Sequence, residues 1–475
     1  MLQRKLWTVS LAMACALAPF GVAQAQEDTK QQSREIFKEL IEINTTDSAG
    51  NVTTAAEALA MRLRAAGFPE QDVIVAGPNE RKKNLVARLH GTGSQKPILF
   101  LAHLDVVEAR REDWTTDPFQ FVEKEGYFYG RGTVDIKDGA AILVTNFIRM
   151  RKAGLVPNRD LILALTADEE GGNFNGVEWL LKHHRDWIEA EYCVNLDGGD
   201  FMSDKGKKIY GAVQASEKVY VDFQFEVKSP GGHSSRPTRD NAIYHLSEGL
   251  ARLAKFNFPV ELNEITRSML EKSAAIEGGP LAKDMKAAAQ PSPDTAVLVR
   301  LSENEFYNAI LRTTCVATML SGGHAPNALP QTARANVNCR ILPGEDPNKI
   351  KETLIKVVDD PKINVTFVEQ RDADGNLIPP ELVPPSPLRP ELMKAVEGAA
   401  ASTWAPLPIM PVMDTGASDG RYLRMAGIPT YGIAGVFLDL DNRRAHGQDE
   451  RVRVQDFYDG VEFNYKLMQA LAPGK

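Results

Sequence analysis

The sequence predicts an α/β protein: a mainly parallel-sheet domain with helices on both faces, carrying an inserted α+β domain of lid or dimerisation type. Three observations carry this. Short, wholly apolar runs alternate with segments of helical periodicity through the first half of the chain. Near residue 213 the pattern switches to strict apolar–polar alternation, as expected of a half-solvated antiparallel strand. After the Pro-rich stretch Pro379 to Pro390 the first style returns, so the outer domain is discontinuous. At 475 residues the chain also exceeds what one core usually serves.

Taken in order, Arg4 and Lys5 precede an apolar stretch from Leu6 to Val22, then Ala23-Gln24-Ala25 and a polar turn. That is the layout of a secretory signal, expected to be cleaved after Ala25. Pro19 and Gly21 interrupt the stretch and it is short for a membrane span. A periplasmic or secreted location is expected, with no membrane contact once the signal is gone. Asp28 to Leu63 reads as two helices, the second beginning near Thr53. Asn84–Leu89, Ile98–His103, Leu161–Thr166 and Tyr192–Leu196 read as strands, with helices over Gly139–Met150 and Gly176–His184 between them. Val219–Val227 and Ala335–Ile341 alternate cleanly. Helices over Asn241–Phe256 and Pro347–Val358 and a strand over Asn364–Val368 complete the inserted unit, with a polar, mostly helical stretch from about 258 to 310 inside it. The expected boundaries are 1–25 for the signal, 26–213 and 373–475 for the catalytic domain, and 214–372 for the insertion.

Composition excludes little beyond nucleic acid. A net charge of −8 without a basic cluster gives no phosphate-binding surface. Of the four cysteines, Cys15 leaves with the signal. Cys315 and Cys339 fall on strand-like runs, where they either pair or remain buried thiols.

Chemistry concentrates in five clusters: His103-Leu104-Asp105, Asp135, Asp168-Glu169-Glu170, Asp197 and His446. Singly, each has a bland reading. His103 ends a strand, Asp135 suits a helix N-cap, Asp197-Gly198 suits a turn, and His446 sits in a polar loop. Three adjacent carboxylates at 168–170 are harder to dismiss, because they repel unless a cation compensates. Strand alternation sets Asp105 on the side of His103, where it orients the ring. Ligands in an open α/β sheet bind outside the carboxyl ends of its strands, where His103, Glu169, Glu170 and Asp197 all fall. Carboxylates plus imidazole without thiolate suit zinc or a similar divalent ion.

The strings Ala-His-Leu-Asp-Val-Val (102–107), Tyr-Gly-Arg-Gly-Thr-Val-Asp-Ile-Lys (129–137) and Ala-Asp-Glu-Glu-Gly-Gly (167–172) resemble the co-catalytic dinuclear zinc peptidase and deacylase family. That family includes glutamate carboxypeptidase, acetylornithine deacetylase, succinyl-diaminopimelate desuccinylase, aminoacylase and carboxypeptidase S. Matching pieces continue through Gly231–Ser234, Asn327–Pro330, Gly416–Asp419 and His446. The resemblance implies two Zn2+, with Co2+ or Mn2+ as alternatives. One ion takes Asp135, His103 and Asp197; the other takes Asp135, Glu170 and His446. It implies Glu169 as general base, Asp105 behind His103, and His233 reaching the active site of a partner subunit in a homodimer. It implies substrate contacts from Asn327, Arg340, Gly416 and Ser418, with Arg340 suited to a carboxylate. The implied reaction is hydrolysis of a small peptide or N-acyl amino acid, carboxypeptidase- or aminoacylase-like. Asp197 matches many aminopeptidase and dipeptidase members and keeps that alternative open. A non-catalytic peptide-binding protein on the same fold is the remaining reading.

Overall fold

In the computed structural model, residues 18–371, 375–378, 380, 382–440 and 444–474 are described, with side chains from Gln26 onward. Residues 1–17 of the predicted signal and the predicted boundary at 372–373 lie outside that description. No helix among the described residues is long and apolar enough to cross a membrane.

The apolar runs assemble into a ten-stranded sheet. Its centre is three parallel neighbours: Leu161–Thr166, Ile98–His103 and Tyr192–Asn195, with Thr430–Gly432 continuing the same direction. Asn84–Leu89 and Val73–Ala76 extend one side antiparallel. On the other side, Lys207–Glu217 pairs in parallel with Ile409–Asp414.

Alternation along the central strands sends side chains to two separate cores. Ile98, Phe100 and Ala102 face the larger core, shared with helices Ala18–Glu42, Val52–Ala65, Lys137–Lys152 and Val454–Leu471. Leu99 and Leu101 face a smaller one under helices Gly176–His183 and Gly420–Met425. Because both faces are covered, the strands read as unbroken apolar runs. Local signals set the helix ends: the Asn51 and Asn175 side chains accept backbone N–H bonds as N-caps. At the end of Ala18–Glu42, the buried Lys137 ammonium donates to the carbonyls of Leu40 and Ile43, both 2.8 Å away.

The chain leaves the large sheet at Lys218, where Lys207–Glu217 runs directly into Val219–Lys228. This second strand belongs to a four-stranded antiparallel sheet ordered Thr314–Gly322, Thr332–Ile341, Val219–Lys228, Ile363–Phe367. Helices Ala242–Leu253 and Pro347–Val358 cover one face and share a separate core with it. Cys315 and Cys339 stand opposite each other in register and form a disulfide.

The helical stretch expected inside this unit behaves differently. Its four helices, within Glu264–Leu311, bury Ile265, Met269, Leu270 and Met285 in the large core. The Lys272 ammonium also bonds the carbonyl of Ile409, 2.7 Å away on a strand of the large sheet. An amphipathic stripe announces that a helix needs a core, without saying which one.

Candidate metal centre and active site

Three parallel strands end side by side, His103 in register with Thr166, and their carboxyl ends deliver the chemistry. His103, Asp135 and Asp197 offer one ligand atom each within 4.8 Å of one another; Asp135, Glu170 and His446 form a second such group. Asp135 belongs to both. His103 Nε2 lies 3.2 Å from Asp135 Oδ1. His446 Nε2 lies 3.0 Å from Asp135 Oδ2 and 2.9 Å from Glu170 Oε2. Glu169 is in neither group.

Asp135 is not a helix cap: the helix begins at Lys137 with Ile136 before it. Its loop is held instead by Glu450, a wholly buried residue to which nothing in the sequence pattern draws attention. One Glu450 oxygen accepts the amides of Val134 (2.8 Å) and Asp135 (3.2 Å). The other accepts Gly132 (3.1 Å) and the Arg131 guanidinium (2.6 Å). Gly132 has φ +91°, and a Cβ there would press on Lys137 and Val106.

Asp105 sits behind His103 and meets its ring at closest approach through the main chain. His103 Nδ1 is 3.0 Å from the Asp105 backbone carbonyl and 3.6 Å from its carboxylate. The strand ends at His103, so alternation no longer governs residue 105. An Nδ1–H donated to that carbonyl leaves Nε2 free as a ligand. The Asp105 carboxylate accepts the backbone amides of Glu169 (3.2 Å) and Glu170 (2.9 Å). Asp105 therefore fixes the backbone that carries Glu169 and Glu170.

The electrostatics describe a donor set short of positive charge. Burial pushes Glu169 and Asp197 well above the usual carboxylate range; Asp197 reinforces this on Glu169, and Asp135 on Asp197. Burial alone would lower His103, but Asp105 and Asp135 hold it well above the ordinary imidazole value. Hydrogen bonds to Asp135 and Glu170 push His446 up to about 10. Hard carboxylates and neutral imidazole nitrogens converging in two triads fit divalent ions, which supply the missing charge.

The remaining expected residues lie in three places. His233 and Asn327 come together on an exposed two-stranded ribbon, Gly232–His233 against Ala328–Leu329, with the Ser234 amide on the Asn327 carbonyl at 3.0 Å. The His233 ring is turned to Ser235, Nδ1 to Oγ 2.8 Å. Neither residue joins the triads within this chain. Arg340 is on the small sheet with its guanidinium 4.7 Å from the Tyr220 ring centre. Gly416 and Ser418 come just after strand Ile409–Asp414 on the large sheet. Ser418 is buried and committed: its Oγ donates to Glu217 Oε2 at 2.8 Å and accepts from the Gly420 amide at 3.2 Å. Its neighbour Asp419 was missed. It is buried against Thr166 (3.1 Å) and Asn175 (2.6 Å), and burial pushes it up to about 6.

Comparison with known proteins agrees with this geometry. Human N-fatty-acyl-amino acid synthase/hydrolase PM20D1 is 27% identical over 384 residues, spanning 79% of this chain and 74% of the relative. Carboxypeptidase S of Saccharomyces cerevisiae is 24% identical over 414 residues, spanning 78% and 71%. The crystal structure of an M20 family metallo-carboxypeptidase from Sulfolobus solfataricus superposes with TM-score 0.67 at 16% identity, covering 92% of this chain and 98% of that one. The profile of peptidase family M20/M25/M40 matches residues 99–470, and the chain belongs to that family of metal-dependent hydrolases of peptide and related amide bonds.

Proposed function

We propose that this protein is an exported dinuclear zinc hydrolase that cleaves the amide bond of an N-acyl amino acid or small peptide bearing a free carboxylate. The observation that carries it is the pair of triads sharing Asp135, with Glu169 beside both and part of neither. Two divalent ions, zinc with cobalt or manganese as alternatives, supply a water acidic enough to ionise near neutral pH and polarise the scissile carbonyl. Glu169 accepts a proton from the attacking water at its carboxylate and returns it to the leaving nitrogen. The products are a carboxylic acid and an amine.

The free carboxylate is motivated by Arg340, which has no acidic partner among the described residues and is stacked where its face is supported. Two relatives point the same way by name, one a hydrolase of N-fatty-acyl amino acids and one a carboxypeptidase. A dipeptidase or aminopeptidase is the second reading, favoured by Asp197. Comparing free with amidated C-termini tests the choice. A strong preference for the free acid supports the clamp, and indifference to amidation refutes it.

Export is supported by the Cys315–Cys339 disulfide, which persists in oxidising compartments. A homodimer is supported by the strand Thr314–Gly322. It is an edge of the small sheet with Val316, Met319 and Leu320 between 60% and 72% exposed. A second copy pairing along that edge covers those side chains and brings His233 toward the partner's active site as an oxyanion donor.

A further inference from the structure

We propose that Lys82 is a positioning residue for the general base, acting through Asp168; this rests on Glu169 being that base. The Lys82 ammonium is buried, its side chain 5% exposed, in a chain whose lysines are mostly solvated. It pairs with the Asp168 carboxylate, which is wholly buried, and with Asp47 Oδ1 at 2.8 Å.

Asp168 immediately precedes Glu169 and holds a left-handed backbone, φ +57°. Asp adopts that conformation more readily than most residues, yet it needs surrounding contacts to keep it. Its second oxygen accepts the Phe174 amide at 3.2 Å, and its carbonyl accepts Asn175 Nδ2 at 3.2 Å. Gly172, φ +103°, passes so close that a Cβ there would strike the Asp168 carboxylate. The whole turn 168–175 therefore closes around one carboxylate, and Lys82 is its counter-ion.

The same short segment grips the strand end a second time. Asn84, also buried, accepts the Ala167 amide on Oδ1 at 3.0 Å. Glu169 is thus held from two directions. Asp105 takes its amide, while Lys82 and Asn84 fix the two residues before it. Removing Lys82 leaves the buried Asp168 beside Asp105, Asp47 and the Glu169-Glu170 pair with no cation on its carboxylate. Without that counter-ion the turn opens toward water, and the base shifts while the triads keep their ligands.

The experiment measures kcat, KM, bound zinc and melting temperature for the parent, Lys82→Met, Lys82→Arg, Asp168→Asn and the Lys82→Met/Asp168→Asn double variant. The expectation is a kcat fall on the order of 10²-fold in Lys82→Met, with KM changed by less than about threefold, because small misplacements of a catalytic group act on the transition state. Bound zinc stays at the parent level. Lys82→Arg recovers most of the loss, and the double variant loses no more than Lys82→Met alone, since both changes break one link. Parent-like kcat in Lys82→Met overturns the proposal, as does a loss that tracks zinc content. If Lys82→Met does not fold, Asp168→Asn carries the test: a loss confined to kcat supports the link and parent kcat refutes it. Glu169→Gln separates the two readings. Activity in that variant removes the base itself, whereas an inactive Glu169→Gln beside a fully active Lys82→Met removes only Lys82.

Discussion

Glu450→Gln tests how the loop carrying Asp135 is held. Glu450 is wholly buried, and its two oxygens accept three backbone amides and the Arg131 guanidinium. The Gln amide keeps one acceptor oxygen but turns two donors toward N–H groups. It also leaves Arg131, 2% exposed, without its anion. The Gly447 carbonyl at 3.0 Å and the Trp114 ring at 5.0 Å remain beside it, and neither carries charge. Removing one partner of a buried pair costs about 3–5 kcal/mol. With an unfolding entropy of about 2.1 cal/mol/K per residue over roughly 300 residues of the outer unit, that is a Tm drop of about 5–8 °C. Metal affinity falls about 10–100-fold, the usual effect of losing a group that orients a ligand. Differential scanning calorimetry in chelator gives the first number and competition with a zinc indicator the second. A Tm within about 1 °C of the parent, against the several degrees expected, or unchanged zinc affinity, refutes the assignment of Glu450 as the anchor of the Asp135 loop.

Other expectations rest on the same geometry. Replacing Cys315 and Cys339 together by Ala removes a cross-link over 24 positions, costing about 3.5 kcal/mol by loop entropy. Urea unfolding with and without reductant should show the parent, but not the double variant, losing stability when reduced. Arg340→Met should cut kcat/KM for free-carboxylate substrates on the order of 10–100-fold, the value of a charge-assisted hydrogen bond, and leave amidated analogues unaffected. Asp160 titrates below its ordinary value: burial opposes this, but the Gly91 amide, Arg88 and His90 outweigh it. A depressed carboxylate stabilises the fold above its unfolded pKa and loses that contribution as pH falls through the folded value. Asp160→Asn should therefore lower stability at pH 7 and flatten the decline below about pH 4 in denaturant titrations.

Much of this was legible in the chain because the centre is built from strand ends. Ile98–His103 and Leu161–Thr166 announce themselves as buried strands, and residues just past the ends of such strands face the ligand side of the sheet. His103, Glu169, Glu170 and Asp197 were readable for that reason. Asp135 and His446 needed the family resemblance, since from sequence they look like an ordinary helix cap and an ordinary loop histidine. The supporting residues stayed hidden. Arg131 and Glu450 are 319 positions apart, and nothing local in either declares a partner. Lys82 looks like any member of the charged run Glu80–Lys83 until the fold buries it. The closest Asp105 contact to His103, its carbonyl, could not be read from alternation, because the strand ends at His103. The helices within Glu264–Leu311 show the same limit in packing, where periodicity cannot choose between two cores.

Two ions sharing Asp135, with Glu169 off the metal as the base, are the foundation of the proposed chemistry. Zinc content and turnover measured together on Glu169→Gln decide whether it stands. Two zinc ions per chain are expected, as in the parent, with turnover lower by about 10²–10⁴-fold, the contribution of a positioned base. Loss of one ion, or turnover near the parent's, would overturn the assignment.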